Sequence, residues 1–199
     1  MKDEMFMFKK NALSGAISDP LCAEYNKDWR VCGEDKEKLV GLCMRQQAIP
    51  YFATYCHQGK GLSKDYILQE FGEYINGYTL HDVEGVEGFT YGLYVDYDYD
   101  NDLSVDKDVI HIMHTVGASV VVPQCKCPTI YVSNRSKVHL VGEGFNTIRV
   151  YLFDESEFTI EDTDEESRVT IYKYSKDCKV NEGKFCIGKV DEFQKELRL

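Results

Sequence analysis

The sequence predicts an α+β protein, in which a small helical N-terminal region precedes a mostly-β C-terminal region. Three observations lead to this fold class. Apolar residues recur at helical spacing between residues 33 and 77, helical signals stop after Gly77, and a five-residue phrase recurs every ten or eleven residues from Ser136 onward. We expect a helical region over 1–78, a β-rich connecting region over 79–128, and a short-strand repeat with a C-terminal cap over 129–199.

A turn at Ser18-Asp19-Pro20 is predicted to open a short helix, and three further helices are predicted in the N-terminal region. The first, 33–47, has apolar residues on one stripe behind an acidic first turn. Pro50 interrupts the pattern, because proline disfavours a helical residue before it, and opens a second helix over 50–56. In the third helix Ser63 suits the N-cap, and Asn76-Gly77 supplies residues that end helices in a left-handed conformation.

Short strands are predicted on both sides of the repeat. Each candidate alternates apolar and polar residues or forms a short apolar run bounded by glycine or proline. The last ten residues have apolar side chains at 190, 193, 197 and 199, which is consistent with a capping helix or an extended tail. The predicted strands cover residues 91–100, 109–113, 118–122, 130–132 and 184–187.

The repeated phrase is the strongest architectural signal. Its four clear copies begin at Ser136, Asn146, Ser156 and Ser167, and a decayed copy begins at Cys178. The first place is small or turn-forming, the second and fourth are polar, and the third and fifth are apolar. This period-two pattern predicts strands with one buried face. The predicted core residues are Val138, Leu140, Ile148, Val150, Phe158, Ile160, Val169 and Ile171.

Two architectures accommodate strands of five residues separated by turns of about five. In a β-solenoid each phrase stacks on an equivalent phrase one coil away, so that polar and apolar places stay aligned. In an antiparallel β-sandwich or jelly roll, strands also recur every 8–12 residues, but turns differ in length and type. The alignment across four copies favours the solenoid.

Composition limits the partners. The chain is 43% hydrophobic and 13% aromatic, which is typical of a globular protein. A net charge of −11 repels a phosphate backbone, so we expect no nucleic-acid partner. No apolar run approaches the ~20 residues that span a bilayer, and the first ten residues do not form a signal peptide. We therefore expect no membrane association and a location in the cytoplasm or in a virion.

Cysteines and aspartates are the candidate metal ligands. Asp96, Asp98, Asp100 and Asp102 resemble the start of an EF-hand calcium loop, but residue 101 is not glycine and residue 107 is lysine in place of the bidentate glutamate. Eight cysteines without a Cys-x-x-Cys pair favour buried thiols over a zinc site. The zinc alternatives are Cys22, Cys32, Cys43 and Cys56, or the pair Cys125 and Cys127.

Exposed tyrosines are the candidate binding surface, and no catalytic residue is predicted. Tyr97, Tyr99, Tyr151, Tyr172 and Tyr174 form this surface, and its alternative is that Tyr151, Phe153, Tyr172 and Tyr174 pack over the edge of a coil. No nucleophile elbow, phosphate-binding loop or His-Glu-x-x-His motif is present in the sequence. We therefore expect a non-enzymatic protein without a cofactor.

Two stretches carry a resemblance to a known group. The run Gln47-Ala48-Ile49-Pro50-Tyr51-Phe52-Ala53 and the following Gly59-Lys60-Gly61-Leu62, together with the repeat from Ser136, resemble uncharacterised phage and prophage proteins of gut bacteria. The repeat is similar in kind to the β-solenoids of phage fibres and adhesins. The resemblance implies a virion-associated or assembly component and carries over no catalytic residues.

Three functions follow from these observations. The first is a structural or interaction protein of phage type that presents a rigid β surface to a protein partner or to a second copy. The second is a glycan-binding or glycan-cleaving module that uses the tyrosines and the Asp96–Asp102 region. The third is an acidic regulatory protein that mimics nucleic acid, for which an acidic stripe on one face would be expected.

Overall fold

The computed structural model describes residue 10 and residues 23–97, 102–163, 166–186 and 189–194. Four short helices precede twelve strands in these residues. The helices are α1 (Ala23–Val31), α2 (Lys36–Met44), α3 (Ile49–His57) and α4 (Lys64–Phe71), followed by a 3-10 turn at Gly72–Tyr74. None of the four combines the length and apolar character that crossing a bilayer requires.

The helix boundaries follow the capping residues. Ser63 caps α4, because its side-chain oxygen accepts a hydrogen bond from the Tyr66 N–H, and Asp35 caps α2 in the same way through Lys38. Pro50 lies in the first turn of α3. Asn76 takes a left-handed φ of 50°, and its side-chain amide exchanges hydrogen bonds of 2.8 and 2.9 Å with the backbone of Val95. The end of the helical region is thereby tied to the first long strand.

The strands form two sheets. Sheet A has the order β1-β2-β4-β6-β8-β10-β12, and sheet B has the order β11-β9-β7-β5-β3. All pairs are parallel except β1 with β2. The strands are β1 (Leu80–His81), β2 (Thr90–Val95), β3 (Leu103–Ser104), β4 (Val109–Met113), β5 (Val116–Val122), β6 (Thr129–Ser133), β7 (Lys137–Gly142), β8 (Thr147–Leu152), β9 (Glu157–Thr163), β10 (Arg168–Lys173), β11 (Lys179–Cys186) and β12 (Lys189–Gln194).

The arrangement is a β-solenoid of about four turns, as the repeat predicted. Each coil contains one strand of each sheet. Arg149 pairs with Thr129 in the preceding coil and with Thr170 in the following one, so a coil takes 20 or 21 residues. Parallel pairing excludes the antiparallel sandwich or jelly roll. The C-terminal segment 189–194 is a strand, so of the two forms expected there the extended one is found.

Consecutive phrases of the repeat lie in opposite sheets. Val138 pairs with Phe158 in sheet B, and Ile148 pairs with Val169 in sheet A. Each phrase is therefore half a coil, and it stacks on the next phrase but one. The eight predicted core residues are all buried, with 1% or less of their surface exposed, and belong to one cluster between the sheets: Val138, Leu140, Ile148, Val150, Phe158, Ile160, Val169 and Ile171.

The first place of each phrase lies at a corner between the sheets. Ser136, Asn146, Ser156 and Ser167 are buried there, with at most 2% of their surface exposed. The Asn146 side-chain amide donates to the Glu143 and Gly144 carbonyls, and the Ser136 hydroxyl donates to the Ser133 carbonyl. A short polar side chain satisfies the turn backbone without filling the corner, which explains the composition of this place.

A helical layer covers part of sheet A. Residues of α2, α3 and α4 form a second apolar cluster with the outward side chains of β2, β4 and β6. These three strands are consequently buried on both faces, whereas β7 and β8 alternate between buried and accessible positions. The described helices contribute no residue to a cluster with sheet B.

Candidate functional site

An aromatic ladder runs along the outer face of sheet A. The rings of Tyr131, Tyr151 and Tyr172 stack with centroids 4.8 Å apart and planes 13° apart in each step. Phe153 and Tyr174 form a second, parallel stack at 4.6 Å. The ladder follows from the coil length, because residues 20 or 21 apart in sequence become neighbours in adjacent strands. Tyr131, which was not among the predicted binding residues, is identifiable from this spacing alone.

The structure brings three of the five predicted binding tyrosines together. Tyr151, Tyr172 and Tyr174 are half-buried members of the ladder. Tyr97 lies at the opposite end of the solenoid, where its ring meets Tyr94 edge to face at 5.5 Å. Tyr99 lies outside the described residues. Tyr97 is therefore not part of the surface that Tyr151, Tyr172 and Tyr174 share.

The ladder geometry has a chemical consequence. A sugar ring binds to an aromatic side chain through the flat face of the ring, but the inner faces of this ladder are occupied by neighbouring rings. Burial also raises the pKa of Tyr131. Stacked aromatic pairs stabilise a fold by about 0.5–1.5 kcal/mol beyond the area that they bury. The arrangement is thus suited to holding adjacent coils in register.

Of the candidate calcium ligands, two are described. Asp96 follows β2 in a left-handed conformation, and its carboxylate accepts a 3.0 Å hydrogen bond from Lys64 Nζ. Asp102 is exposed just before β3. Asp98 and Asp100 lie outside the described residues. The segment connects two strands and not two helices, so it lacks the helix–loop–helix frame of an EF-hand.

The described cysteines divide into two groups. Cys32, Cys43, Cys56 and Cys178 are buried, whereas Cys125 and Cys127 are exposed in the turn between β5 and β6. Burial raises the pKa of Cys43 well above its usual value, and the nearby Cys56 and Cys32 act in the same direction. Cys22 lies outside the described residues. Within the described part of the chain, no group of three or more Cys, His, Asp or Glu side chains is placed to hold a metal ion.

A polar cluster lies where the helical layer meets one corner of the solenoid. Successive corners place Asp96, His114, Asn134 and Asp154 in left-handed conformations, with φ between 51° and 60°. The Asn134 N–H donates a 3.0 Å hydrogen bond to the Asp154 carboxylate. His57, the last residue of α3, has its Nδ1 3.9 Å from the same carboxylate. None of these residues belongs to a recognisable motif, because they are 18 to 39 residues apart in sequence.

Burial determines the protonation behaviour of this cluster. The Asp154 side chain is only 6% exposed, and burial raises its pKa against the opposing effects of the Asn134 hydrogen bond and His57. Burial, reinforced by the Lys64 ammonium, lowers the pKa of His114. The wholly buried His111 has its pKa lowered to about 3 and is neutral at physiological pH.

His111 and Ser133 form a hydrogen-bonded pair beside this cluster. The Ser133 hydroxyl donates to Asn134 Oδ1 at 2.6 Å and lies 2.8 Å from His111 Nε2. Because the hydroxyl has a single proton, Nε2 must donate, which fixes the imidazole tautomer. Neither side chain is exposed to solvent, so the pair does not meet a substrate in this conformation. Its contacts are those of a buried polar network under the helices.

A groove of about 510 Å³ lies between α1, α2 and the segment around β1. The Arg45 guanidinium crosses this region, where Nη2 donates to Asp28 at 2.7 Å and Nε donates to the Val83 carbonyl at 3.2 Å. These bonds connect the walls of the groove to one another. Arg45, Asp28 and the Val83 carbonyl therefore hold the walls of the groove together.

The outer face of sheet B is a regular surface that no described helix covers. We call the outward side chains of β5, β7, β9 and β11 the sheet B face. Its charges are mixed, since Lys137 Nζ lies 3.6 Å from Glu157 and His139 Nδ1 lies 2.6 Å from Glu161. The face comprises Ser119, Val121, Lys137, His139, Val141, Glu157, Thr159, Glu161, Lys179 and Asn181.

Comparison of the chain with protein-family models, with curated proteins and with solved structures gave no match in any of the three. The functional argument therefore depends on the fold and on the surfaces described above.

Proposed function

We propose that this protein is a rigid interaction module, in which the solenoid presents the sheet B face to a protein partner. One observation carries the proposal. The helical layer buries the outer side of β2, β4 and β6, whereas no described helix packs on the outer side of sheet B. Among the residues that the structure describes, one sheet face thus serves folding, and the other is available for binding.

Stacked parallel strands make such a face suitable for recognition. The strands of sheet B pair in parallel, with one register shift in each of the β5–β7, β7–β9 and β9–β11 pairings, and the core beneath them is apolar between β5 and β9. A surface that is already ordered loses little conformational entropy on binding. A partner therefore meets side chains at fixed spacings, and strand neighbours in a sheet lie about 4.8 Å apart.

The chemistry of the sheet B face favours a protein partner. The Lys137–Glu157 ion pair and the His139–Glu161 contact lie beside the apolar side chains of Val121 and Val141. Non-obligate protein interfaces combine polar and apolar surface in this manner. Nucleic-acid mimicry would require an acidic stripe, and this face instead carries Lys137 and Lys179 among its glutamates.

Site-specific photocrosslinking in the organism that carries the gene tests this proposal. A photoreactive residue is placed at Thr159, in the fourth place of its phrase on sheet B, and the matched control replaces Arg149, in the fourth place of the preceding phrase on sheet A. We expect a discrete protein adduct from position 159 and none from position 149. Adducts of equal yield from both positions, or from neither, would contradict the proposal.

A glycan partner is the second candidate, because a half-buried row of tyrosines is present on sheet A. Reducing-sugar release and binding on a polysaccharide panel distinguish it from the first. A Tyr151→Leu variant is the informative comparison, since a glycan site built on the ladder would lose affinity when the ring is removed.

On the sequence resemblance alone, we propose further that the partner belongs to a phage particle or to its assembly apparatus. Mass spectrometry of purified particles from a producing strain checks this finer statement. The chain is expected among the particle proteins, and its absence from them would leave the interaction module without a phage role.

A further inference from the structure

The two ends of the solenoid core differ from its middle. Inward positions of adjacent coils form rows along the core, and these rows are apolar through the central coils. At the C-terminal end one apolar register row of each sheet stops. Glu182 pairs with Ile160 in sheet B, and Glu192 pairs with Ile171 in sheet A.

These two glutamates occupy equivalent places in the last coil. Counted as in the five-residue phrase, the third place remains apolar in both final strands, as Val180 in β11 and Val190 in β12. The fifth place of each phrase carries the glutamate. Glu182 is exposed although its row is otherwise buried, because no further coil covers it among the described residues. The last coil therefore continues one apolar register row of each sheet, with Val180 and Val190. It carries glutamate in the other register row.

The strands that carry these residues are edge strands. β11 ends sheet B, and β12 ends sheet A. An edge strand offers unpaired backbone groups to any further strand, including one from a second copy of the chain. A coil added here would have to pair with strands that carry glutamate at the register positions of Ile160 and Ile171, and burying unpaired charges is strongly unfavourable.

We propose that Glu182 and Glu192 terminate the solenoid and prevent a second copy of this chain from stacking on its C-terminal end. They act as the polar cap that repeat proteins need at their termini. The protein then meets its partners through its sides and not through its ends.

The N-terminal end of the core is closed by a different device. The stem of Lys107 lies over Gly92, where a Cβ would come within 2.6 Å of Lys107 Cδ. The Lys107 ammonium donates to the Tyr94 hydroxyl at 3.1 Å and to Asp106 at 2.9 Å. Lys107 thus places a charged side chain over the core of the first coil, beside Gly92 and Tyr94.

A double variant, Glu182→Leu with Glu192→Leu, tests the proposal by light scattering after size exclusion and by electron microscopy. Both register rows become apolar up to the last coil, so we expect a concentration-dependent dimer joined through the two C-terminal ends, with a native circular dichroism spectrum. The association constant is expected to rise by about tenfold or more over that of the wild type. The matched control, Asn181→Leu with Asp191→Leu, changes the preceding residue of each strand, at the register positions of Thr159 and Thr170, and is expected to keep the wild-type mass.

A second variant keeps the test decisive if the leucine protein does not fold. Glu182→Gln with Glu192→Gln removes the charges without adding apolar volume, and we expect it to self-associate at concentrations at which the wild type does not. Unchanged mass in every folded variant would overturn the proposal. Wild-type protein that already stacks end to end would overturn it as well.

Discussion

At the scale of single residues, the corner positions show how backbone conformation selects side chains. Asn134 has a φ of 56°, in the left-handed region that costs most residues roughly 1–2 kcal/mol and that asparagine tolerates. Its buried side chain also accepts from the Ser133 hydroxyl, and its Nδ2 lies 3.5 Å from the Ala53 carbonyl of α3. One residue therefore turns the chain and connects the helical layer to the solenoid.

Two substitutions separate these roles of Asn134. Asn134→Gly keeps the left-handed backbone and loses the side-chain contacts, whereas Asn134→Ala loses both. We expect urea denaturation to show the alanine variant less stable than the glycine variant by about 1 kcal/mol. Equal stability of the two variants would mean that the corner does not impose this conformation.

Buried histidine makes the stability depend on pH. The pKa of His111 is about 3 in the folded protein and near 6.5 when unfolded, so the unfolded state binds the extra proton in between. The stability that neutral His111 contributes is fully present above about pH 6.5 and is lost as the pH falls towards 3. The lowered pKa of His114 acts in the same direction, and the raised pKa of Asp154 opposes both in acid.

We expect His111→Leu to flatten this acid dependence. Leucine continues the row that begins at Leu93 and removes the titrating group, so the free energy of unfolding should fall less steeply between about pH 6.5 and 3, by up to about 1.4 kcal/mol per pH unit. Urea melts across this range measure the slope. His81→Gln, at an exposed site in β1, is the control and should leave the slope unchanged; an unaltered slope in His111→Leu would contradict the assignment.

At the scale of elements, the ease with which a strand is recognised in the sequence depends on which of its faces are exposed to solvent. β7 and β8 show clean alternation because one face meets solvent, and their core residues could be predicted in advance. β4 and β6 are covered on both sides and read as continuous apolar runs, so the same stacking is hidden in their sequences. The position of the helical layer over these strands, which no local pattern reveals, causes this difference.

The aromatic ladder offers an element-scale prediction. In a double-mutant cycle of Tyr151→Leu and Tyr172→Leu, the ring contact at 4.8 Å is broken in either single variant. We expect a coupling of about 0.5–1.5 kcal/mol in the free energy of unfolding. Strictly additive effects would show that the rings stack without stabilising the register.

At the scale of the whole molecule, the sequence predicted the order of the parts and the solenoid. It left open that two phrases make one coil, because a ten-residue period fits one strand per coil equally well. The corner cluster could not be predicted either, since His57, Lys64, Asp96, His114 and Asp154 meet only after four coils and two helices have assembled. The sheet B face and the C-terminal cap become apparent only from strand register.

The most direct test of the account is a nuclear Overhauser measurement of backbone pairing in the labelled full chain. The parallel solenoid predicts that residues paired within the repeat differ by 20 to 22 in sequence at the third place of each phrase, as in Val138 with Phe158, Ile148 with Val169 and Phe158 with Val180. Antiparallel neighbours would instead give pairs whose residue numbers have a constant sum. Observation of that second pattern between consecutive phrases would contradict the fold and, with it, the binding face and the terminal cap.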